Sequence, residues 1–323
     1  MGVQNNLFYR SFYAMGTRFE MVIPGSERKR LENFSRDMEE KVLWWHRHLS
    51  RFEPDSDISR VNLEASRHPV EVDEKIFFVL EECNRYVRDT HGLFDPAILA
   101  IQEFWKESRW SGDPQDVKKI ASRSGWKQVI LDPEKQTVFF KTKDTGIDPG
   151  AFGKGLALRE AGNFLKNEGL ENALLSFGGS SILGVGKHPH GPHWPVGITH
   201  IFAPYRNVYV FPLHDAALSS SGASLQRKPA GKEEYLPVFH PRTGMPVTGW
   251  KTVSVMTKDP LEAEILSTAF LVANETERDD ILKTFAGISQ SVEIIYLKQK
   301  ENVRTFTNSL NTDDQNEKTG IKT

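Results

Sequence analysis

The chain has 323 residues, with 41 Lys and Arg against 43 Asp and Glu and a formal net charge of −2. This balance excludes the basic field of a nucleic-acid-binding protein, and the single cysteine, Cys83, excludes a disulfide framework and a cysteine-type zinc site. No apolar run approaches the ~20 residues that span a bilayer, and Met1–Ser11 shows no secretory signal, so we expect a cytoplasmic protein without a membrane span.

The first half of the sequence predicts strands, a group of helices and a hairpin. In chain order these are strands at 7–13 and 18–23, helices at 26–45, 74–87, 97–105 and 117–122, and hairpin strands at 128–131 and 137–141. The polar stretch 49–62 is predicted to be a loop. Residues 110–116, rich in Gly, Pro and Asp, are predicted to be a linker.

The second half predicts mostly strands that follow one another directly. Its elements are a helix at 156–167, strands at 172–176, 194–199, 207–213, 216–220 and 251–256, helices at 261–272 and 278–285, and a strand at 293–298. The strands between 194 and 220 are interpreted as an antiparallel meander, and the polar residues 308–323 as a disordered tail. Helices interleaved with hairpin-connected strands predict an α+β fold, mostly antiparallel sheets flanked by helices.

A glycine-rich turn, Asp148-Pro149-Gly150-Ala151-Phe152-Gly153-Lys154-Gly155, precedes the helix at 156–167. Such a turn brings bare backbone close to a ligand, and a helix N-terminus favours a negative group such as phosphate. Its spacing matches neither a Walker loop nor a Rossmann fingerprint. The alternative interpretation is a plain strand-to-helix turn with an exposed lysine.

Two further groups of residues have metal-binding chemistry. Glu264 and Thr268 are four residues apart on a predicted helix, and their oxygens suit Mg²⁺; the alternative is an ordinary polar helix face. His188, His190 and His193 could bind zinc or nickel, but Gly and Pro keep them off one element face, so a surface loop is the favoured interpretation.

Taken together, the motifs resemble those of the ApbE family, the FAD:protein FMN transferases, over roughly residues 12–275. The similar segments are Met15-Gly16-Thr17, Leu49-Ser50-Arg51-Phe52 through Asn62, Gly92-Leu93-Phe94-Asp95-Pro96, Asp148 to Gly155, Phe177-Gly178-Gly179, Ser221-Gly222, Pro241 to Pro246 and Ala263 to Ala269. The resemblance implies a T-fold-like single domain, residues 1–307, with an FAD cleft between two lobes and a linker near 110–116.

The resemblance also implies an activity and a site. The protein would bind FAD with Mg²⁺ at the pyrophosphate and move FMN to a Thr or Ser hydroxyl of an unidentified acceptor flavoprotein, releasing AMP. The implied FAD-binding residues are Met15, Phe52, Leu93, Phe94, Asp95 and Asp148. The implied metal ligands are Ala151, through its backbone oxygen, Glu264 and Thr268, and the catalytic candidates are His240 and Lys154.

The sequence departs from the family pattern at several carboxylates and at the histidine often described as the base. Glu264 replaces an aspartate, Ser180 and Ala223 replace two others, and Pro237 stands at the histidine position, with His240 three residues further on. Two alternatives therefore stay open. One is a homologue that binds FAD without transferring FMN, and the other is an FAD pyrophosphatase that releases FMN and AMP.

Overall fold

The computed structural model describes residues 7–200, 203–223, 225–227, 233–235, 238–248, 251–286, 291–298 and 302–309. The helices are α1 (Arg28–Leu49), α2 (Asp57–Glu64), α3 (Glu74–Asp89), α4 (Leu99–Glu107), α5 (Pro114–Arg123), α6 (Gly153–Asn167), α7 (Pro260–Val272) and α8 (Glu275–Ala286). The strands are β1 (Leu7–Ala14), β2 (Thr17–Pro24), β3 (Val70–Glu71), β4 (Val129–Asp132), β5 (Thr137–Phe140), β6 (Ala173–Phe177), β7 (Ser181–Val185), β8 (Trp194–His200), β9 (Ala203–Leu213), β10 (Ala216–Ala223), β11 (Leu225–Arg227), β12 (Glu233–Tyr235), β13 (Lys251–Thr257), β14 (Ser291–Lys298) and β15 (Asn302–Ser309).

An eight-stranded sheet with the order β1-β2-β6-β7-β10-β13-β14-β15 organises the fold, and every neighbouring pair in it is antiparallel. The other described strands form the sheets β3-β5-β4, β8-β9 and β11-β12. The predicted α+β class with mostly antiparallel strands is therefore confirmed.

Helix α7 lies against the middle of the large sheet and against α6. Its side chains are buried on every face, as expected for a helix that packs between other elements. The main core continues through α1, α3 and α6, and a smaller cluster of Ile101, Trp105, Val117, Ala121 and Phe239 lies under α4 and α5. The chain thus brings the glycine turn before α6 next to α7.

The structure differs from the sequence predictions in several segments. Residues 49–62 are not wholly a loop, because the Ser56 hydroxyl accepts the Ser59 N–H and begins α2, which buries Ile58 and Val61. Strand β7 was not predicted. The expected meander is wrong, because β8 and β9 form their own sheet while β10 pairs with β7 and β13. The predicted tail begins too early, since Asn308 and Ser309 end β15; residues 310–323 lie outside the described part.

Among the described helices, none has both the length and the apolar character required to cross a membrane. The cytoplasmic location stays a prediction, as does the division into two lobes.

Candidate functional site

The glycine turn is fixed by hydrogen bonds before α6 begins. The Asp148 carboxylate accepts the Gly150 N–H at 3.0 Å, which starts a short 3-10 turn at Pro149–Ala151. The Asp148 N–H donates to the Pro96 carbonyl at 2.8 Å. The turn is therefore tied to the segment before α4, and it precedes the N-terminus of α6 at Gly153.

Helices α6 and α7 lie in close contact at Gly155. A Cβ atom at this position would lie 2.4 Å from the Pro260 carbonyl oxygen and 2.9 Å from the Leu261 Cα. Any side chain would push the two helices apart. The glycine is needed for this close approach, and the approach places Glu264 of α7 beside the turn.

The carboxylate of Glu264 is held from two sides by the first turn of α6. One oxygen accepts from the Lys154 ammonium and the other from the Gly155 backbone N–H. Glu264 is 3% exposed, so the carboxylate depends on these partners for its charge to be tolerated. A buried anion and a cation thus lie together at the turn.

A chain of hydroxyl groups continues from Glu264 along α7 and β10. Ser221 Oγ lies 3.3 Å from Thr268 Oγ1 and 2.8 Å from Ser267 Oγ, and Ser267 in turn donates to Ser219 at 3.3 Å. The hydroxyl of Ser181 on β7 is buried and has no hydrogen-bond partner among the described residues. This wall of the site is lined by small polar groups without charge.

These elements surround a cleft of about 550 Å³. The predicted residues that line it are Leu93, Phe94, Asp95, Asp148, Ala151, Lys154, Glu264 and Thr268. Further lining residues without a predicted binding role include Arg51, Ile98, Gln102, Lys106, Trp110 and Phe239. The structure therefore brings together residues as far apart in the chain as Arg51 and Thr268.

A second pocket of about 330 Å³ adjoins the first and contains the other two predicted FAD-binding residues, Met15 and Phe52. Both pockets share Arg51, Asp148, Gly150 and Lys154, so the glycine turn forms their common border.

Arg51 links the border to the smaller pocket. Its guanidinium lies 4.3 Å from the centre of the Phe52 ring, and its Nε is 3.6 Å from Asp148 Oδ1. Phe52 is 76% exposed, which leaves its ring accessible to a planar ligand. Met15 and His46 line the same pocket, and the Met15 N–H donates to His46 Nδ1 at 3.1 Å.

The carboxylate of Asp95 is held in place by backbone N–H groups. Its carboxylate accepts the Ala97 N–H at 2.8 Å and the Trp126 N–H at 2.9 Å. Burial raises the pKa of Asp95 to about 6, against the opposing effect of these hydrogen bonds. Asp95 lines the cleft while it also anchors the segment around Gly125, where a Cβ atom would lie 2.7 Å from Asp95 Oδ2.

His240 is the predicted site residue that does not line either pocket, although its neighbours Val238, Phe239 and Pro241 line the larger one. Its Nδ1 accepts the Arg242 N–H at 3.2 Å, so the proton of the neutral ring is on Nε2. Desolvation by burial lowers the pKa of His240. Pro237, at the position of the family histidine, lies outside the described residues.

The donor set for a metal consists of oxygen atoms. Ala151 with its carbonyl, Glu264 and Thr268 line the same cleft, and oxygen ligands are those that Mg²⁺ prefers. Each carboxylate oxygen has two lone pairs, so the bonds from Lys154 and Gly155 leave capacity for a cation. No cluster of three or more His, Cys, Asp or Glu suited to a metal occurs in the described part of the chain, so water or phosphate oxygens must complete such a site. With water or phosphate oxygens as the remaining ligands, the residues present fit Mg²⁺.

Comparison with known proteins identifies the family. The sequence model of the ApbE family matches residues 15–292. The FAD:protein FMN transferase of Chlamydia trachomatis serovar D is 27% identical over 230 residues, 68% of this chain and 70% of that protein. That of Treponema pallidum is 26% identical over 259 residues, 74% of this chain and 71% of that protein.

Solved structures show the same fold. The ApbE protein from Thermotoga maritima superposes with a TM-score of 0.80 at 20% identity, covering 93% of this chain and 97% of that one. The flavin transferase ApbE from Vibrio cholerae gives a TM-score of 0.77 at 17% identity, covering 94% and 97%. With a family match over most of its length and this fold, the chain belongs to the ApbE family.

Proposed function

We propose that this protein is an FAD:protein FMN transferase that requires Mg²⁺, transfers FMN from FAD to a Thr or Ser hydroxyl of an acceptor protein and releases AMP. The observation that carries the proposal is the pair of adjoining pockets, which share the glycine turn as their border. FAD has a ring system at each end and a pyrophosphate between them. Two pockets with Lys154 and a helix N-terminus between them suit that arrangement of groups.

In this proposal the residues of the two pockets hold the ends of FAD. Met15 and Phe52 contact one ring system in the smaller pocket, while Leu93, Phe94 and Asp95 contact the other half in the larger cleft. Asp148 keeps the turn in shape through its bond to the Gly150 N–H, so that the backbone before α6 faces the pyrophosphate. The binding energy of both ends then aligns the phosphorus atom that reacts.

The metal ligands in this proposal are the Ala151 carbonyl, the Glu264 carboxylate and the Thr268 hydroxyl. When bound there, Mg²⁺ supplies positive charge that stabilises the negative charge on the phosphate oxygens during transfer. Ser221 holds the Thr268 hydroxyl at 3.3 Å, and Gly155 holds the Glu264 carboxylate, so both side chains are oriented before a ligand arrives.

The reaction is the transfer of a phosphoryl group. The acceptor hydroxyl oxygen forms a bond to the phosphorus of the FMN half, and the bond from that phosphorus to the bridging oxygen breaks. AMP leaves with the bridging oxygen, and the hydroxyl proton passes to solvent. Because phosphoryl transfer depends mainly on alignment and charge, Lys154 contributes as a cation that lines both pockets.

A role of His240 as general base is not needed for this scheme. Its Nδ1 already accepts the Arg242 N–H, and its ring does not line the cleft. A base must lie within hydrogen-bond reach of the proton that it removes. We therefore propose that transfer proceeds without proton abstraction by His240.

Product analysis tests the proposed function. Purified protein is incubated with FAD and MgCl₂, with and without an acceptor domain that carries an Asp-x-x-(Ser/Thr)-(Gly/Ala)-(Ser/Thr) segment, and AMP, FMN and FAD are separated by chromatography. A transferase releases AMP only with the acceptor and without free FMN. Release of FMN and AMP in equal amounts without acceptor would instead show a pyrophosphatase. Intact FAD after long incubation would show a binding protein.

A further inference from the structure

Residues 108–113, which connect α4 to α5, have a defined backbone conformation that local contacts hold in place. Arg109 and Trp110 both have left-handed backbones, with φ of 50° and 68°. The Trp110 N–H donates to the Trp105 carbonyl at 2.9 Å, which closes the end of α4. At Gly112 a Cβ atom would lie 2.5 Å from the Phe104 ring, so the chain passes closely over α4. The left-handed region of backbone dihedral angles is unfavourable for residues other than glycine. Two such residues in succession keep this conformation only where surrounding contacts hold the backbone.

The conformation of residues 108–113 places the Trp110 ring at the wall of the larger cleft. The ring is nearly parallel to that of Phe239, with an interplanar angle of 1° and centroids 6.2 Å apart, and to that of Trp105, at 14° and 6.4 Å. Trp105 is fixed in turn by the bond from its Nε1 to the Gly244 carbonyl at 2.7 Å. Trp110 is nevertheless 44% exposed, so part of a large and rigidly supported ring faces the outside.

Gln102, which lies on α4 eight positions before Trp110, also lines the cleft. Its side-chain oxygen is screened from solvent and has no hydrogen-bond partner among the described residues. An acceptor in this situation costs free energy in the unliganded protein, and a ligand N–H that reaches it recovers that cost. Lys106, one further turn along the helix, adds a cation to the same wall.

We infer that Gln102 and Trp110 form a ring-recognition subsite of the larger cleft. Trp110 stacks on a planar heteroaromatic ring, and the Gln102 oxygen accepts an N–H from the edge of that ring. This inference rests on the proposed function, because FAD supplies the ring. Adenine carries its exocyclic amine and isoalloxazine its imide N–H, so both have the required chemistry, and the experiment separates them.

Calorimetric titration of the full chain with FAD tests the stacking role. We expect Trp110→Ala to weaken FAD binding about 10-fold and Trp110→Phe to restore most of that loss, because one base-aromatic stack is worth roughly that factor. Glu103→Ala, on the exposed side of α4 and away from the cleft, is the matched control and should bind as wild type. Equal FAD affinity of wild type and Trp110→Ala would overturn the inference.

The variant Gln102→Leu distinguishes a ligand-binding role of Gln102 from a purely structural one. The substitution removes an unpartnered buried acceptor and keeps its volume, so the melting temperature of the unliganded protein should stay equal or rise. FAD affinity should fall about 5-fold, although the melting temperature does not fall. A fall in both quantities, or in neither, would contradict the assigned role.

Titrations of wild type and Trp110→Ala with AMP and with FMN identify the ring. A loss of affinity for AMP alone assigns the subsite to adenine, and a loss for FMN alone assigns it to isoalloxazine. Unchanged affinity for both would overturn the inference while leaving the proposed function intact. Failure of the wild-type protein to bind FAD at all would remove the proposed function and this inference with it.

Discussion

Lys154 on α6 and Glu264 on α7 form an ion pair at the border of the two pockets, although they are 110 positions apart in the chain. The Glu264 side chain is 4% exposed and that of Lys154 24% exposed. The pair therefore joins two core helices. It also places an ammonium and a carboxylate group where a bound pyrophosphate and metal would lie.

Removing the cation alone should destabilise the protein. We expect Lys154→Met to lower the free energy of unfolding by about 1–3 kcal/mol, because the Glu264 carboxylate stays buried without its counter-charge. Adding Glu264→Gln should recover part of the loss, since the neutral amide still accepts the Gly155 N–H. Urea denaturation of the wild type, both single variants and the double variant gives the coupling energy.

Lys119→Met, which breaks the exposed pair with Asp116, is the control and should leave the midpoint unchanged. Additive effects of the two core substitutions would refute the coupling.

The close approach of α6 and α7 predicts a strong effect of one added methyl group. Gly155→Ala should lower the free energy of unfolding by about 1–3 kcal/mol, because the methyl carbon meets the backbone of Pro260 and Leu261. It should also reduce Mg²⁺-dependent turnover, since Glu264 moves away from the turn. Gly191→Ala is the matched control, because the nearest atom to its Cβ is 3.9 Å away. Thermal denaturation of both variants checks the prediction, which fails if Gly155→Ala melts with the wild type.

The raised pKa of Asp95 predicts a pH dependence of stability. Its ordinary value is 3.8 and its value in the folded protein is about 6, so the folded protein binds this proton more tightly than the unfolded chain does. The stability that this carboxyl contributes is fully present below pH 3.8 and is lost as the pH rises through 6. The whole change is about 3 kcal/mol at 1.36 kcal/mol per pKa unit.

Asp95→Asn lacks this titration. The difference in unfolding free energy between the variant and the wild type should therefore shift in favour of the variant between pH 4 and pH 7. Guanidinium denaturation at intervals across this range measures it. Parallel stability curves for the two proteins would show that Asp95 does not titrate there.

His240→Ala tests whether the histidine is a base. A general base contributes about 100-fold or more, whereas we expect a loss of less than about 10-fold from the change in the loop. His188→Ala, in a surface loop outside both pockets, is the control. Initial rates of AMP release between pH 5.5 and 8 provide the measurement. A loss above about 100-fold, together with a changed pH profile below neutrality, would make His240 the base.

Local pattern predicted most of the fold, and the errors have identifiable causes. The sequence predicts a loop in place of helix α2 because Pro54 and mixed charges such as Asp57 and Arg60 are typical of solvated loops. The buried residues Ile58, Val61 and Ala65 nevertheless have helical spacing. Strand β7 was missed because all five of its residues are buried, so it shows no alternation. The pairing of β10 with β13 joins residues as far apart in the chain as Ala217 and Thr257, and periodicity reports only local spacing.

Individual residues of the candidate site could be proposed from the sequence only where a motif existed. Glycine spacing indicated the turn at 148–155, and the spacing of Glu264 and Thr268 indicated one helix face. The contact of Glu264 with Gly155 was not predictable, because it depends on how two helices pack in three dimensions. The sequence predicts a linker at Trp110, because a left-handed backbone at a residue other than glycine leaves no signal in the sequence.

The mass of the acceptor protein tests the central claim most directly. Wild type and Glu264→Gln are each incubated with FAD, the acceptor domain and either MgCl₂ or EDTA, and the intact acceptor is measured by mass spectrometry. The account predicts an acceptor heavier by one FMN only with wild type and Mg²⁺. An unmodified acceptor with wild type and Mg²⁺, or equal modification by Glu264→Gln, would contradict it.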